Sequence, residues 1–207
     1  MCVYPRSVLC NDPDMADIPV NVPLDTAKLR VEKTAVRRIP GEAFYYLSEL
    51  RYLWVTYNSI TSVDTTSFYN LKVLHELRLD GNLISSFPWV SLREMPSLRT
   101  LDLHNNRLTS VPTEAIPYLV NITYLDISSN KLATLPSDLL DLWPPFSGVA
   151  PSINDTKVVL GKTDDLRITT DVGSLVIHSK CFCLVRYLPW KRLGRIQPEN
   201  TLKAIEL

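Results

Sequence analysis

Side chains able to do chemistry are few in this 207-residue sequence. His75 and His104 lie near Glu76 and Asp102, and a transition metal needs several such ligands converging at about 2 Å. They are read as surface polar residues, and no metal and no cofactor is expected. No Ser-His-Asp, Cys-His or paired-carboxylate constellation stands out, and the 6 glycines form no phosphate loop. The chain is therefore expected not to be an enzyme. The 4 cysteines form two close pairs, Cys2 with Cys10 and Cys181 with Cys183. That even count permits disulfides in an oxidising compartment but establishes none. The remaining chemistry is that of recognition: Tyr52, Trp54 and Tyr57 concentrate rigid aromatic area in six positions, the composition of a protein-binding hot spot.

These residues sit inside a repeat that must position them. The unit L-x-x-L-x-L-x-x-N-x-L runs through Leu50, Leu53, Val55, Asn58 and Ile60, then Leu74, Leu77, Leu79, Asn82 and Ile84. It returns at Leu98, Leu101, Leu103, Asn106 and Leu108, and at Ile122, Leu125, Ile127, Asn130 and Leu132. The asparagines stand 24 residues apart, and the same step back from Asn58 reaches Thr34, the Asn slot of a degenerate first unit. Alternation in L-x-L is the signature of a short strand, and the asparagine follows where the chain turns. Asn58, Asn82, Asn106 and Asn130 are read as structural, each amide bonding the backbone of adjacent coils so that a buried polar group is satisfied. A second apolar set, such as Val63, Phe68 and Leu71, or Phe87, Leu92 and Met95, closes the outer wall. Pro40, Pro88, Pro112 and Pro136 at one phase end the extended stretch and open a short helix or turn. The expected fold is an α/β solenoid, a leucine-rich repeat horseshoe with short parallel strands on its concave face, stabilised by stacking.

Alternate strand residues point to opposite faces, so the residues between the inner leucines form an outward stripe. That stripe reads Arg30, Trp54, Arg78, Asp102 and Asp126, basic at one end and acidic at the other. Its neighbour reads Lys28, Tyr52, Glu76, Thr100 and Tyr124. Arg30, Tyr52, Trp54, Tyr57, Arg78, Asp102 and Asp126 are the expected contacts for a protein partner on the concave face, the charge gradient setting its orientation.

Lys plus Arg total 22, as do Asp plus Glu, so no net field draws the chain to nucleic acid and none is expected as a partner. The basic, aromatic run at Arg186, Tyr187, Trp190, Lys191, Arg192 and Arg195 is read as a solvated tail. The most apolar late segment is interrupted by His178, Lys180 and Arg186, short of the ~18 apolar residues of a membrane span. Nor do the first residues hold an apolar run of the roughly 7–15 residues that a secretory leader needs. The expected organisation is a truncated N-terminal cap over 1–25, a leucine-rich repeat domain over 26–161 and an unassigned tail over 162–207. Leu160 takes a strand slot in an irregular last coil, and the alternating LRITTDVGSLVI could form strands. Asn121 and Asn154 head Asn-x-Thr triplets that accept glycan in the secretory pathway.

The run EAFYYLSELRYLWVTYNSITSVDTTSFYNLKVLHELRLDGN, with the later LRTLDLHNNRLTSVP and YLDISSNKLATLPSDLL, closely resembles the leucine-rich repeat, immunoglobulin-like and transmembrane domain family of cell-surface proteins. The resemblance covers roughly Ser7 to Gly161 and includes positions outside the repeat consensus: Tyr45, Tyr46, Trp54, Tyr57 and Trp89. It implies a noncatalytic type I membrane glycoprotein with a leader, cysteine caps, immunoglobulin-like and fibronectin-like domains and one span. It further implies a place at retinal photoreceptor and bipolar-cell synapses, in adhesion or in organising receptors for vision. The chain departs from that pattern in lacking the leader and first cap cysteines, the cysteine-rich C-terminal cap, and the immunoglobulin domain and span. An intracellular repeat scaffold and a truncated nonfunctional product are the competing expectations.

Overall fold

The computed structural model describes residues 6–136 and Leu139, and the backbone of three later strands at 157–159, 166–170 and 173–177. Leu160, Asn154, Cys2, Cys181, Cys183 and the basic run from Arg186 to Arg195 lie outside the described residues. The chain winds as stacked coils, and its strands in order are β1 (Ser7–Cys10), β2 (Lys28–Glu32), β3 (Arg38–Ile39), β4 (Tyr52–Thr56), β5 (Ser62–Val63), β6 (Glu76–Arg78), β7 (Thr100–Asp102), β8 (Tyr124–Asp126), β9 (Thr134–Pro136), β10 (Lys157–Val159), β11 (Leu166–Thr170) and β12 (Gly173–Ile177). One parallel sheet in the order β1-β2-β4-β6-β7-β8-β10 forms the concave wall of the leucine-rich repeat solenoid.

Register follows the repeat. Leu29, Leu53, Leu77, Leu101 and Leu125 are paired strand to strand, and all are fully buried. Because each inner leucine sits one period from the next, stacking the strands stacks the leucines, and one continuous core runs the length of the array.

The asparagines lock successive coils. Asn106 Oδ1 accepts the Ile84 N–H at 3.0 Å, while its Nδ2 donates to Leu79 O at 2.9 Å and Leu103 O at 3.1 Å. Asn82 and Asn130 repeat the pattern, taking the N–H of Ile60 and Leu108 and giving to the carbonyls of Val55 and Leu103. Asn58 donates to Val31 O and accepts both the backbone N–H and the hydroxyl of Thr34, which turns the degenerate first slot into a satisfied end of the ladder. All four amides are buried, so each bond replaces water that cannot reach the site.

Just before each of these slots the backbone turns left-handed, at Lys33, Tyr57, Gly81, Asn105 and Ser129, with φ between 52° and 70°. Only the glycine and the asparagine adopt that region cheaply. The Asn ladder that follows holds the others there.

The outer wall changes along the molecule. Its first coils use plain turns, with β3 and β5 pairing in a two-stranded strip. Later coils carry 3₁₀ helices at Trp89–Glu94 and Thr113–Ala115 and an α-helix at Ile116–Leu119. Pro88 and Pro112 stand at the caps of the two 3₁₀ helices, where a missing N–H costs no internal bond. Beneath this wall the rings of Phe44, Phe68 and Phe87 stack with centroids 6.4 and 6.3 Å apart, and Trp89 meets Phe87 edge-on at 5.1 Å.

Two features extend the array beyond its sequence period. β1 pairs residue for residue with β2, so the concave sheet begins ahead of the first repeat. The segment behind it alternates buried Ile18 and Val22 with exposed Val20 and Leu24, and the Tyr46 hydroxyl donates to Pro19 O at 3.0 Å to hold it. Cys10 on β1 is half-buried and has no disulfide partner among the described residues, and burial raises its thiol pKa. At the other end, β10 joins β8 with Val158 opposite Leu125, and β11 and β12 form an antiparallel hairpin with β11 alongside β9.

Candidate binding surface on the concave sheet

The register that stacks the leucines also aligns the residues between them. Arg30, Trp54, Arg78, Asp102 and Asp126 are successive partners across β2, β4, β6, β7 and β8, and Lys28, Tyr52, Glu76, Thr100 and Tyr124 run beside them. A partner laid on this sheet meets both rows at once.

Trp54 does not offer an open aromatic face, as its outward position in the sequence suggested. Lys28 Nζ stands 3.6 Å from its ring centroid, and the guanidinium carbons of Arg30 and Arg78 lie 5.0 and 5.2 Å away. Cations are drawn to the negative face of an indole, so the three long side chains cover it. The Trp54 Nε1–H is buried without a hydrogen-bond partner among the described residues. Exposed aromatic area lies instead on Tyr52 and Tyr57, 39% and 55% accessible. Tyr57 has its own support: a Cβ on Gly81 would stand 2.6 Å from the Tyr57 ring, so the ring rests on bare backbone that only glycine supplies.

The basic side chains differ in how far they are neutralised. Arg30 makes a two-pronged bond to Glu32 at 2.6 and 2.9 Å. Arg78 is held by Asp80 at 3.3 Å and Asp102 at 3.1 Å. Lys28 has no carboxylate partner among the described residues.

The acidic end is also more enclosed than expected. Asp102 and Asp126 are only 6% and 9% exposed, because neighbours on the same face close over them. Asp102 accepts the His104 N–H at 3.0 Å, and Asp126 accepts the Ser128 N–H at 2.9 Å, the Ser128 hydroxyl at 2.6 Å and the Tyr124 hydroxyl at 3.3 Å. His104 Nδ1 lies 2.6 Å from Ser128 Oγ, while His75 Nδ1 contacts Val73 O. Among the described residues no group of three or more His, Cys, Asp and Glu could hold a metal.

Burial, with repulsion from Asp80 and Asp126, pushes the Asp102 pKa up to about 6 against the pull of the His104 N–H and Arg78. Burial, then Asp126 and Asp102, raises Tyr124 to about 12. Asp102 titrates near its ordinary value of 3.8 when unfolded, so between about pH 4 and 6 the folded state holds a proton that the unfolded chain has released. Its protonation therefore favours folding, and this contribution is lost as pH rises through the window, by on the order of 2 kcal/mol. Urea midpoints of wild type and Asp102→Asn at pH 4 and pH 7 check this: the variant should gain relative to wild type at pH 7. A difference that does not change with pH would show that Asp102 does not titrate there.

Asn121 is exposed at the rim ahead of β8, and Arg99 ties the sequon down by accepting the Thr123 hydroxyl on its carbonyl and donating to Asn121 O. No helix among the described residues is long and apolar enough to cross a membrane.

A parallel sheet of L-x-L strands, one per 24-residue coil and sealed by an asparagine ladder, defines a leucine-rich repeat module. Residues 26–84 and 96–142, more than half of the chain, match the leucine rich repeat family model, and the chain belongs to that family. The fold is a noncatalytic one whose stacked strands make an extended concave binding surface.

Over 59 residues the chain is 68% identical to leucine-rich repeat, immunoglobulin-like domain and transmembrane domain-containing protein 3 from Homo sapiens, a stretch covering 28% of this chain and 9% of that protein. It is 51% identical over 59 residues to protein 1 of the same series from Homo sapiens, covering 28% and 10%. Leucine-rich repeat-containing protein 3 from Mus musculus is 32% identical over 57 residues, covering 28% and 22%. The chain is thus homologous to these proteins over part of its repeat region, and the matched stretch spans a small fraction of each relative.

Proposed function

We propose that this chain is a noncatalytic protein-binding module of a cell-surface adhesion or receptor-organising protein, acting at synapses and, by its resemblance, in the retina. The observation that carries the binding reading is the pair of aligned concave rows, in which exposed Tyr52 stands beside the cation-covered Trp54, with exposed Tyr57 at the turn that follows the same strand. Arg30, Tyr52, Trp54, Tyr57, Arg78, Asp102 and Asp126 are the contact residues in this reading, and Asn121 and Asn154 carry glycan. The cell-surface placement rests on relatives whose names include immunoglobulin-like and transmembrane domains. The division into a cap over 1–25, repeats over 26–161 and a tail over 162–207 belongs to the same proposal.

The test is binding of the tagged full chain to an array of synaptic ectodomains, with two double variants. Tyr52→Ala with Tyr57→Ala should weaken the strongest interaction at least tenfold, the scale of a lost aromatic hot spot. Tyr45→Ala with Tyr69→Ala, which removes a stacked exposed pair on the outer wall, should leave it intact. The reverse pattern would move the interface off the concave sheet.

A further inference from the structure

We infer that the partner presents an extended, dipolar segment laid across the concave strands, with a carboxylate over Lys28 at one end and an arginine or lysine over Asp102 and Asp126 at the other. This rests on the concave sheet being the binding face and names the chemistry that fits it.

The charges on this face are unevenly matched. At the β2 end, Glu32 takes up Arg30, whereas the Lys28 ammonium sits on the Trp54 ring without a carboxylate. An indole holds a cation in place without neutralising it, so Lys28 keeps its capacity for an anion. The Nε1–H of the same indole is buried and has no hydrogen-bond partner among the described residues. At the β7–β8 end the imbalance is reversed. Asp80 and Asp126 both lie close enough to Asp102 to repel it, and among the described residues the one guanidinium paired with this group, that of Arg78, reaches Asp80 and Asp102. Among the described residues Asp126 meets hydroxyls and one N–H but pairs with no Lys or Arg, and the imidazole of His104 lies 4.0 Å away. Like charges crowded at low exposure repel strongly, and a cation from outside relieves that repulsion in a way that added protein hydroxyls do not.

The spacing limits what can satisfy both ends. Lys28 stands on β2, Asp102 three strands away on β7 and Asp126 four away on β8. At about 4.8 Å between strands the two ends are about 14–19 Å apart, which an extended chain rising about 3.3 Å per residue spans in about four to six residues. Tyr52 and Tyr124 stand in the flanking row, ready to cover the backbone between.

The experiment selects binders to the immobilised full chain from a library of random 12-residue peptides. Winners on the wild type should carry an acidic residue and an Arg or Lys about four to six positions apart. Their affinity should fall about tenfold with Lys28→Glu and with Asp102→Asn, with Asp126→Asn replacing the latter if it unfolds the chain. Selection on Lys28→Glu should return peptides basic at both ends. Winners that depend on Tyr52 but lack the spaced charges overturn the dipolar partner and leave the concave surface standing. Winners indifferent to Tyr52→Ala, or none at all, overturn both.

Discussion

Replacing Phe68 by alanine is expected to cost about 4 kcal/mol of folding stability, within the range for deleting a buried aromatic ring. Phe68 is fully buried and stands between Phe44 and Phe87, its ring nearly parallel to Phe44, with 4° between planes. It is the middle of a spine linking three coils, so the hole is walled by rings that cannot collapse without shifting their own coils. Urea unfolding followed by circular dichroism measures the loss. Tyr69→Ala provides the contrast: that side chain is next in sequence but exposed, stacking only on Tyr45, and should cost less than about 1 kcal/mol. Equal effects at the two positions would mean the phenylalanine spine does not hold the coils together.

Asn106→Ala is expected to cost at least about 3 kcal/mol. The substitution leaves the Ile84 N–H without its acceptor and the carbonyls of Leu79 and Leu103 without this donor, all at a buried site. Each orphaned buried group costs about 1–3 kcal/mol, although some relax toward water, so the total falls short of a sum. The damage crosses coils, because the lost partners belong to the preceding turn as well as to its own. Hydrogen exchange locates it: the Ile84 amide should lose protection while the Thr34 and Leu108 amides, served by Asn58 and Asn130, keep theirs. Unchanged exchange at Ile84 would mean that Asn106 does not serve that amide in solution.

Much of this architecture is written in the spacing. The 24-residue recurrence of leucine and asparagine identifies the coil, its strand and its turn, since each coil's pattern is local and stacking needs only that identical patterns meet. Thr34 was legible as a degenerate asparagine slot, and its two bonds to Asn58 show how a hydroxyl and an N–H share one amide oxygen. The left-handed turns were not legible. Of the five residues that adopt them, Lys33, Tyr57 and Ser129 carry no local preference strong enough to announce it. A strand before the first repeat, β1, also lies outside the period and is visible only through its pairing with β2.

The candidate surface divides the same way. Sequence alternation determined which residues face the concave side, because successive strand side chains must point to opposite faces. It said nothing of what those side chains do to one another. Stacking strands about 4.8 Å apart brings residues distant in the chain into contact, and that proximity lays Lys28, Arg30 and Arg78 over Trp54 and closes Asp102 and Asp126 among Arg78, Tyr124 and Ser128. The repeat is a property of one coil and can be read from the chain. Exposure, charge pairing and the open ends of the surface belong to neighbouring coils together, so only the tertiary structure could decide them.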